Sequence, residues 1–295
     1  MSISAKALPE TALPLGEVVD LDRYPIDRLD TPEAMALVAR CRAQLNDDGC
    51  VVLDGFIRPD ALERLEAETG HLGPHAHYNS TVTNIYNSDG DPSLPEDHPV
   101  NIFNERTNGF VAGDMIPDGT LIRSLYENRA FQAFIAAAME EPELHEYADP
   151  LAGLVVNCLK PGCQHPWHYD SNDFIVTMMT RAPEAGGTFE YCPQIREAGN
   201  ENIEAVNAVL AGDRAPVRAL DLKPGDLQIF YGRLSLHRVA RVEGERDRHT
   251  VIFGYAREPG FIGRAARTRK LFGRVAPIHE REERNGLKRT DTLQD

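Results

Sequence analysis

The stretch Gln164-His165-Pro166-Trp167-His168-Tyr169-Asp170 places two ligand-type side chains, His168 and Asp170, two residues apart. In an extended segment alternate side chains share a face, so an imidazole and a carboxylate at this spacing point the same way. A second imidazole, His237, follows 67 residues after Asp170 (237 − 170), in Leu236-His237-Arg238-Val239. It lies beyond the turn Lys223-Pro224-Gly225-Asp226 and the strand-like run Leu227–Tyr231. Two neutral imidazoles and one carboxylate form the donor set that holds non-haem ferrous iron on one face of an octahedron. That face leaves three positions open, and the ion keeps one formal positive charge. A bidentate 2-oxo acid suits two of the positions and O2 the third.

Such a cosubstrate carries a second carboxylate that must be neutralised at a fixed distance. Arg248 follows His237 by 11 residues, in Arg248-His249-Thr250. On a strand Arg248 and Thr250 share a face, and a guanidinium with a hydroxyl can fix a buried carboxylate. Arg246 has the same parity and is the rival for this role. Arg248 is the stronger candidate, because Thr250 and an apolar run follow it directly. Asn157, on the strand before the ligand segment, is either a donor to the same cosubstrate or a sheet-edge amide. Taken singly, His168 and Asp170 read equally as a surface pair and His237 as a structural histidine. Their joint order with Arg248 argues for a site.

The elements that must position these residues follow from turn and cap signals. Residues 1–30 are Pro-rich and aperiodic and are expected to form a surface-wrapping extension. A helix is expected from Thr31-Pro32, with Thr31 capping and Pro32 at the first helical position. Met35, Val38 and Leu45 repeat at helical spacing, and Gly49 ends the helix. Cys50–Leu53 reads as a buried strand, followed by a second amphipathic helix with Leu62 and Leu65 inward. Residues 71–118 are irregular, a length that usually signals function or mobility. A single helix is expected over Leu121–Met139. From Leu151 short β-type runs appear: Leu154–Leu159, Phe174–Met179, Thr188–Tyr191, Val217–Leu220, Leu227–Tyr231, Arg238–Val242 and Thr250–Tyr255. Their spacing predicts a sandwich or barrel, interrupted by one helix, Ile203–Leu210. The expected organisation is α+β: one domain over 31–277 with a β-barrel core at about 151–257, and a charged, fraying tail at 278–295.

The bulk composition narrows the partners. Of 295 residues, 31 are Lys or Arg and 46 Asp or Glu, a formal net charge of −15. Such a chain repels a phosphate backbone, so nucleic acid is not an expected partner. The basic stretch Arg264–Lys270 reads as a solvated face. Five cysteines without a Cys-x-x-Cys spacing point to reduced thiols rather than a disulfide framework or a zinc ribbon. Met1–Gly16 lacks the pattern of a signal peptide, and no apolar run is long enough to span a membrane. The expectation is a soluble cytoplasmic protein acting on a small molecule. Oligomeric state has no signal in the sequence.

The region from His168 to Tyr255 resembles the Fe(II)/2-oxoglutarate oxygenase superfamily. The resemblance rests on His-x-Asp, then Gly186-Gly187-Thr188-Phe189-Glu190-Tyr191, Pro224-Gly225-Asp226, His237-Arg238-Val239 and Arg-x-Thr, in that order. With the Gly49–Phe56 strand and the helix after Pro59 it extends over about residues 32–257. It implies a double-stranded β-helix (a jelly-roll, cupin-like barrel) with N-terminal helices packed on it. It implies Fe(II), 2-oxoglutarate and O2 as reactants, and hydroxylation of an unactivated C–H bond. Within the superfamily, His165-Pro166-Trp167-His168 and the Gly-Gly-Thr-Phe-Glu-Tyr run are most similar to bacterial enzymes of free amino acids, a group of lysine-type hydroxylases and halogenases. Those halogenases replace the acidic ligand with a small residue. Asp170 therefore argues for hydroxylation.

That closer resemblance makes His165 a candidate substrate contact, with a turn cap as the alternative. Trp167 reads as packing before substrate stacking. Arg106 reads as a solvated arginine, or else as the partner of a substrate carboxylate. His71, His75 and His77 lack the companions of a second metal site and suggest a lid near the substrate. Two other classes remain: a cupin-like metal isomerase or hydrolase, which has no use for Arg248-x-Thr250, and a non-catalytic barrel protein.

Overall fold

The computed structural model of the protein describes residues 14–172, 174–282 and 293–294. The N-terminal helices obey the cap signals. After α1 (Leu15–Val18), helix α2 (Pro32–Asp48) begins where the Thr31 hydroxyl accepts from Ala34 N at 3.4 Å and Pro32 takes the first turn. Gly49, at φ +66°, ends it in the left-handed conformation that favours glycine. Val38 and Leu45 are buried, as their spacing predicts, whereas Met35 is 61% exposed. The inward stripe runs instead through Ala34, Leu37 and Cys41. Strand β1 (Cys50–Leu53) and helix α3 (Pro59–Leu72) follow.

Residues 14–30 do not wrap the surface: Val18, Val19, Tyr24 and Ile26 are buried in the main core. The remainder of the expected extension, 1–13, lies outside the described residues. The irregular region contains four short strands, β2 (His77–Tyr78), β3 (Thr81–Thr83), β4 (Asn104–Arg106) and β5 (Gly109–Val111). The expected Leu121–Met139 helix is two helices, α4 (Leu121–Tyr126) and α5 (Arg129–Ala138). Asn128 divides them: its backbone is extended and its Oδ1 accepts from Ala130 N and Phe131 N at 3.0 Å each. An Asn at that position starts a helix rather than continuing one.

The C-terminal half is strand-rich. It contains β6 (His145–Glu146), β7 (Leu154–Leu159), β8 (His165–His168), β9 (Ile175–Arg181), β10 (Ala185–Gly186) and β11 (Phe189–Cys192). Helix α6 (Ile203–Leu210) precedes β12 (Arg218–Leu220), β13 (Leu227–Phe230), β14 (Leu236–Val239), β15 (Val242–Glu243), β16 (Arg248–Phe253) and β17 (Tyr255–Ala256). The strand expected over Arg238–Val242 is therefore two, and His237 lies inside the first.

These strands make a seven-stranded antiparallel sheet, in the order β1-β13-β9-β16-β7-β5-β2, and a four-stranded one, β12-β11-β14-β8. The expected barrel is not closed by hydrogen bonds among the described residues: the two sheets remain separate. Phe189, Tyr191 and Val239 of the smaller sheet pack with Cys50, Leu159 and Phe230 of the larger. On the opposite face of the large sheet Val51, Val156, Val176, Ile229 and Val251 pack on α2, α3, α4 and α5. Both faces are covered, so all six residues of β7 are buried. One consequence fixes the site. Along β16, Val251 and Phe253 face the helices. Period-two alternation then turns Arg248 and Thr250 toward the smaller sheet, together with Asn157, which pairs with Thr250.

Helices α7 (Ala265–Phe272) and α8 (Pro277–Glu282) close the described chain. The basic stretch expected as a solvated face is thus a helix that buries Ala265, Thr268 and Phe272. The start of the expected fraying tail is ordered too, because His279 is buried with its Nε2 2.9 Å from Asp149 Oδ2. Residues 283–292 and 295 lie outside the described residues. Among the described residues no helix is long and apolar enough to cross a membrane, and all five cysteines are free thiols.

The Pro-Gly-Asp turn ties the entry of β13 to the helical layer. Asp226 Oδ1 accepts from Gly55 N and Oδ2 from Lys223 N, each at 2.8 Å. Asp226→Ala should lower the free energy of unfolding by roughly 1.5–3 kcal/mol, the range for a hydrogen bond to a charged group. An unchanged urea midpoint would contradict this role.

Candidate metal and cosubstrate site

His168 and His237 are 69 residues apart (237 − 168) in sequence but directly opposed in space, because β8 and β14 pair antiparallel with His237 against His168. Asp170 lies two residues past His168, and its N–H donates to Gly232 O at 3.0 Å. His168 Nε2 is 3.9 Å from Asp170 Oδ1, and His237 Nε2 is 3.4 Å from Asp170 Oδ2. The three donor atoms lie within 4.8 Å of one another. Among the described residues this is the one His/Cys/Asp/Glu group with metal-holding geometry.

The backbone chooses the tautomers. His168 Nδ1 is 2.8 Å from the Pro166 carbonyl, and His237 Nδ1 is 2.9 Å from the Ser235 carbonyl. A carbonyl only accepts, so each Nδ1 carries the proton and each Nε2 presents its lone pair to the third ligand. Burial, with His165 and His237 close by, holds the His168 imidazole well below its ordinary pKa and therefore neutral. Asp170 Oδ2 is buried without a hydrogen-bond partner among the described residues. A buried, orphaned carboxylate oxygen 3.4 Å from an imidazole nitrogen, on a carboxylate that the second imidazole also approaches, is what a divalent cation satisfies. Gly232 makes room for it: a Cβ there would fall 1.9 Å from Asp170 Oδ2.

Across the site stands a cation without an anion. Arg248 is 2% exposed, its Nη1 donates to Thr250 Oγ1 at 2.5 Å, and its Nε has no partner. No carboxylate of the described residues pairs with it. Burial pushes the guanidinium down to about 10, which leaves it charged at neutral pH. Gly187 packs on its stem, where a Cβ would meet Arg248 Cδ at 3.0 Å. Arg246, the rival, is elsewhere: it precedes β16 and pairs with Glu66 at 2.5 Å near the surface.

A second cation with no carboxylate partner among the described residues lies near His165. Arg106 is buried rather than solvated, and burial with the nearby Arg267 pushes it down to about 10. It lies over the Phe110 ring at 5.3 Å, and its Nε donates to Asn108 Oδ1 at 2.8 Å. His165 stacks on His168 with ring centroids 3.7 Å apart. Burial and Arg106 push the His165 imidazole well below its ordinary value. Trp167 points the other way: it joins Val206 and Val209 in a separate apolar cluster, flanked by Arg238 at 4.8 Å and Arg214 at 5.7 Å. It is a packing residue, removed from the ligand atoms by strand alternation.

The histidine cluster does not enter the site as a unit. His71 and His75 contact edge-on at the end of α3, and His77 packs against Gly273. Three residues escaped the sequence reading. Asn108 bridges Arg106 and Asn157, whose Oδ1 accepts from Asn108 Nδ2 at 3.0 Å. Arg267 of α7 donates to the Ser171 hydroxyl, one residue after Asp170. A polar residue two positions after Arg106 was the only cue to Asn108, and nothing local indicated Arg267 or Ser171.

A family model described as halogenase D matches residues 100–270, a span that includes every site residue named above. No curated protein matches the chain. Among solved structures, AviO1 from Streptomyces viridochromogenes Tue57 superposes with a TM-score of 0.51 at 17% identity, over 74% of this chain and 94% of that one. The non-heme alpha ketoglutarate dependent epimerase SnoN from nogalamycin biosynthesis superposes at 0.51 with 14% identity, over 74% and 80%. The non-heme alpha ketoglutarate dependent carbocyclase SnoK from nogalamycin biosynthesis does so at 0.50 with 14% identity, over 73% and 82%. At these identities the likeness is one of fold.

Gly232→Ala should displace the Asp170 carboxylate without removing any ligand. The expected loss of Co(II) affinity is about 10–100-fold, as for other changes beside a metal ligand. The visible spectrum of a Co(II) titration measures it, and wild-type affinity in the variant would refute the packing argument.

Proposed function

The chain belongs to the halogenase D family, and from that membership together with the buried donor triad we propose an Fe(II)- and 2-oxoglutarate-dependent dioxygenase that hydroxylates an unactivated C–H bond of a small, carboxylate-bearing, amino-acid-like molecule. His168, Asp170 and His237 are the proposed iron ligands. The two packed sheets are read as the faces of a double-stranded β-helix. The observation that carries the proposal is the pairing of an orphaned Asp170 oxygen, on a carboxylate flanked by two imidazole nitrogens, with a buried Arg248 on the facing sheet that has no carboxylate partner among the described residues. A cupin-like isomerase or hydrolase has no use for that second feature.

When bound, the iron supplies O2 activation, with 2-oxoglutarate oxidised to succinate and CO2. The protein's own groups bind and orient. Arg248 and Thr250 take the far carboxylate of 2-oxoglutarate, with Asn157 beside Thr250 on the same face. Arg106 and His165 lie together beside His168, where a guanidinium favours a substrate carboxylate. The acidic net charge of the chain is no guide to this pocket, whose placed charges beside the ligands are arginines. Asp170 distinguishes this chain from the activity in the family's description: a halide would need the position that its carboxylate holds.

Two measurements test the reading. Asp170→Ala and His237→Ala should abolish succinate formation, and full turnover in either overturns the ligand assignment. Arg248→Lys keeps the charge but loses the two-pronged donor. Charged hydrogen bonds contribute about 1.5–3 kcal/mol each, so affinity for 2-oxoglutarate should fall about 10–100-fold. Anaerobic titration of the Fe(II) protein, read by the visible charge-transfer band of the chelate, gives that affinity. An unaltered value, or an equal fall in Arg246→Lys, removes Arg248 from the role.

A further inference from the structure

A chain of three polar side chains crosses the site from the Arg106 side to the cosubstrate side. Arg106 Nε donates to Asn108 Oδ1 at 2.8 Å, and Asn108 Nδ2 donates to Asn157 Oδ1 at 3.0 Å. Asn108 is 1% exposed and Asn157 6%, so neither amide has bulk water to reorient into. The direction of the chain is not free. A guanidinium has donors and no acceptor. It therefore forces the oxygen of the Asn108 amide toward itself and the nitrogen away. Asn157 must then answer with its oxygen, and its Nδ2 is the end left over. Nothing among the described residues accepts from that Nδ2. Asn157 sits opposite Thr250 on the sheet face that carries Arg248.

We propose that Asn108 is a positioning residue that transmits the donor polarity of Arg106 to Asn157, so that an N–H and not a carbonyl oxygen is aimed at the 2-oxoglutarate carboxylate bound by Arg248 and Thr250. This rests on the proposed cosubstrate site. A free asparagine amide can present either end to a ligand; a relay anchored on an arginine allows one. The same relay holds Arg106 in the position from which it meets substrate, so both pockets depend on one buried amide.

The test is to invert the relay. In Asn108→Asp the new carboxylate still accepts from Arg106 but cannot donate. Asn157 must flip, giving its N–H to residue 108 and its oxygen to the cosubstrate. Affinity for 2-oxoglutarate, from the anaerobic charge-transfer titration, should fall at least about tenfold, while Co(II) affinity stays at the wild-type value. Asn157→Ala should show a similar loss. Adding Asn108→Asp to Asn157→Ala should cost nothing more, because the group through which the inversion acts is gone. Asn108→Ser, whose hydroxyl can both accept and donate, should retain most of the affinity. Unchanged affinity in Asn108→Asp overturns the relay, as does an undiminished further loss in the double variant. If Asn108→Asp does not fold, Asn157→Ala alone decides, and wild-type affinity there overturns the proposal. Absence of the band in the unaltered protein overturns the cosubstrate reading itself, an outcome distinct from a band that persists in the variants.

Discussion

The antiparallel pairing of β8 with β14 is the constraint on which the rest depends. It sets His237 against His168 and brings together two imidazoles 69 residues apart (237 − 168) in the chain. The backbone carbonyls of Pro166 and Ser235 take the Nδ1 protons, and the N–H of Asp170 is tied to Gly232 O. Each of the three residues is thus held by a main-chain contact, the two histidines through Nδ1 and Asp170 through its own N–H. The absence of a Cβ at Gly232 is part of the same design, since the carboxylate occupies that space.

Around this centre the charges are arranged against ordinary folding energetics. Two guanidiniums, Arg106 and Arg248, are buried with no carboxylate partner among the described residues. An uncompensated buried charge costs several kcal/mol. Structural arginines in this protein avoid that cost: Arg196, equally buried, pairs with Glu201 at 2.9 Å and lies over the Tyr169 ring. These two buried cations are the feature on which the proposed anion sites rest. Arg106 lies beside His165, which stacks on His168, whereas Arg248 lies against Thr250 on the large sheet.

The convergence of His168, Asp170 and His237 and the contact of Arg248 with Thr250 were readable because each sits in a short motif with a fixed strand parity. Arg106 was undervalued because an irregular stretch hides that it ends a strand packed beside β8. The packing role of Trp167 follows from alternation with His168, whereas His165, three residues before His168, shares its face only because the strand is irregular. In β8 the pairing slips between His237 and Val239. His165 stacks on His168 while Trp167 turns to the far apolar cluster. The split of the long helix at Asn128 and the helix at Ala265–Phe272 were missed because apolar periodicity continues through the first and basic charge masks the second.

By itself the sequence determined the donor types, their spacing along each strand, the turn and cap residues that begin and end the elements, and the strand-rich character of the second half. These depend on local backbone geometry, which a few neighbouring residues decide. Which strands pair, which guanidiniums lose their solvent, and how Arg106, Asn108 and Asn157 join into one hydrogen-bonded row were decided only in the tertiary structure. Apart from the local Arg106–Asn108 bond, those outcomes depend on register between segments about 50 or more residues apart, and on a desolvation that exists only once both sheets and the helical layer have closed over the same space.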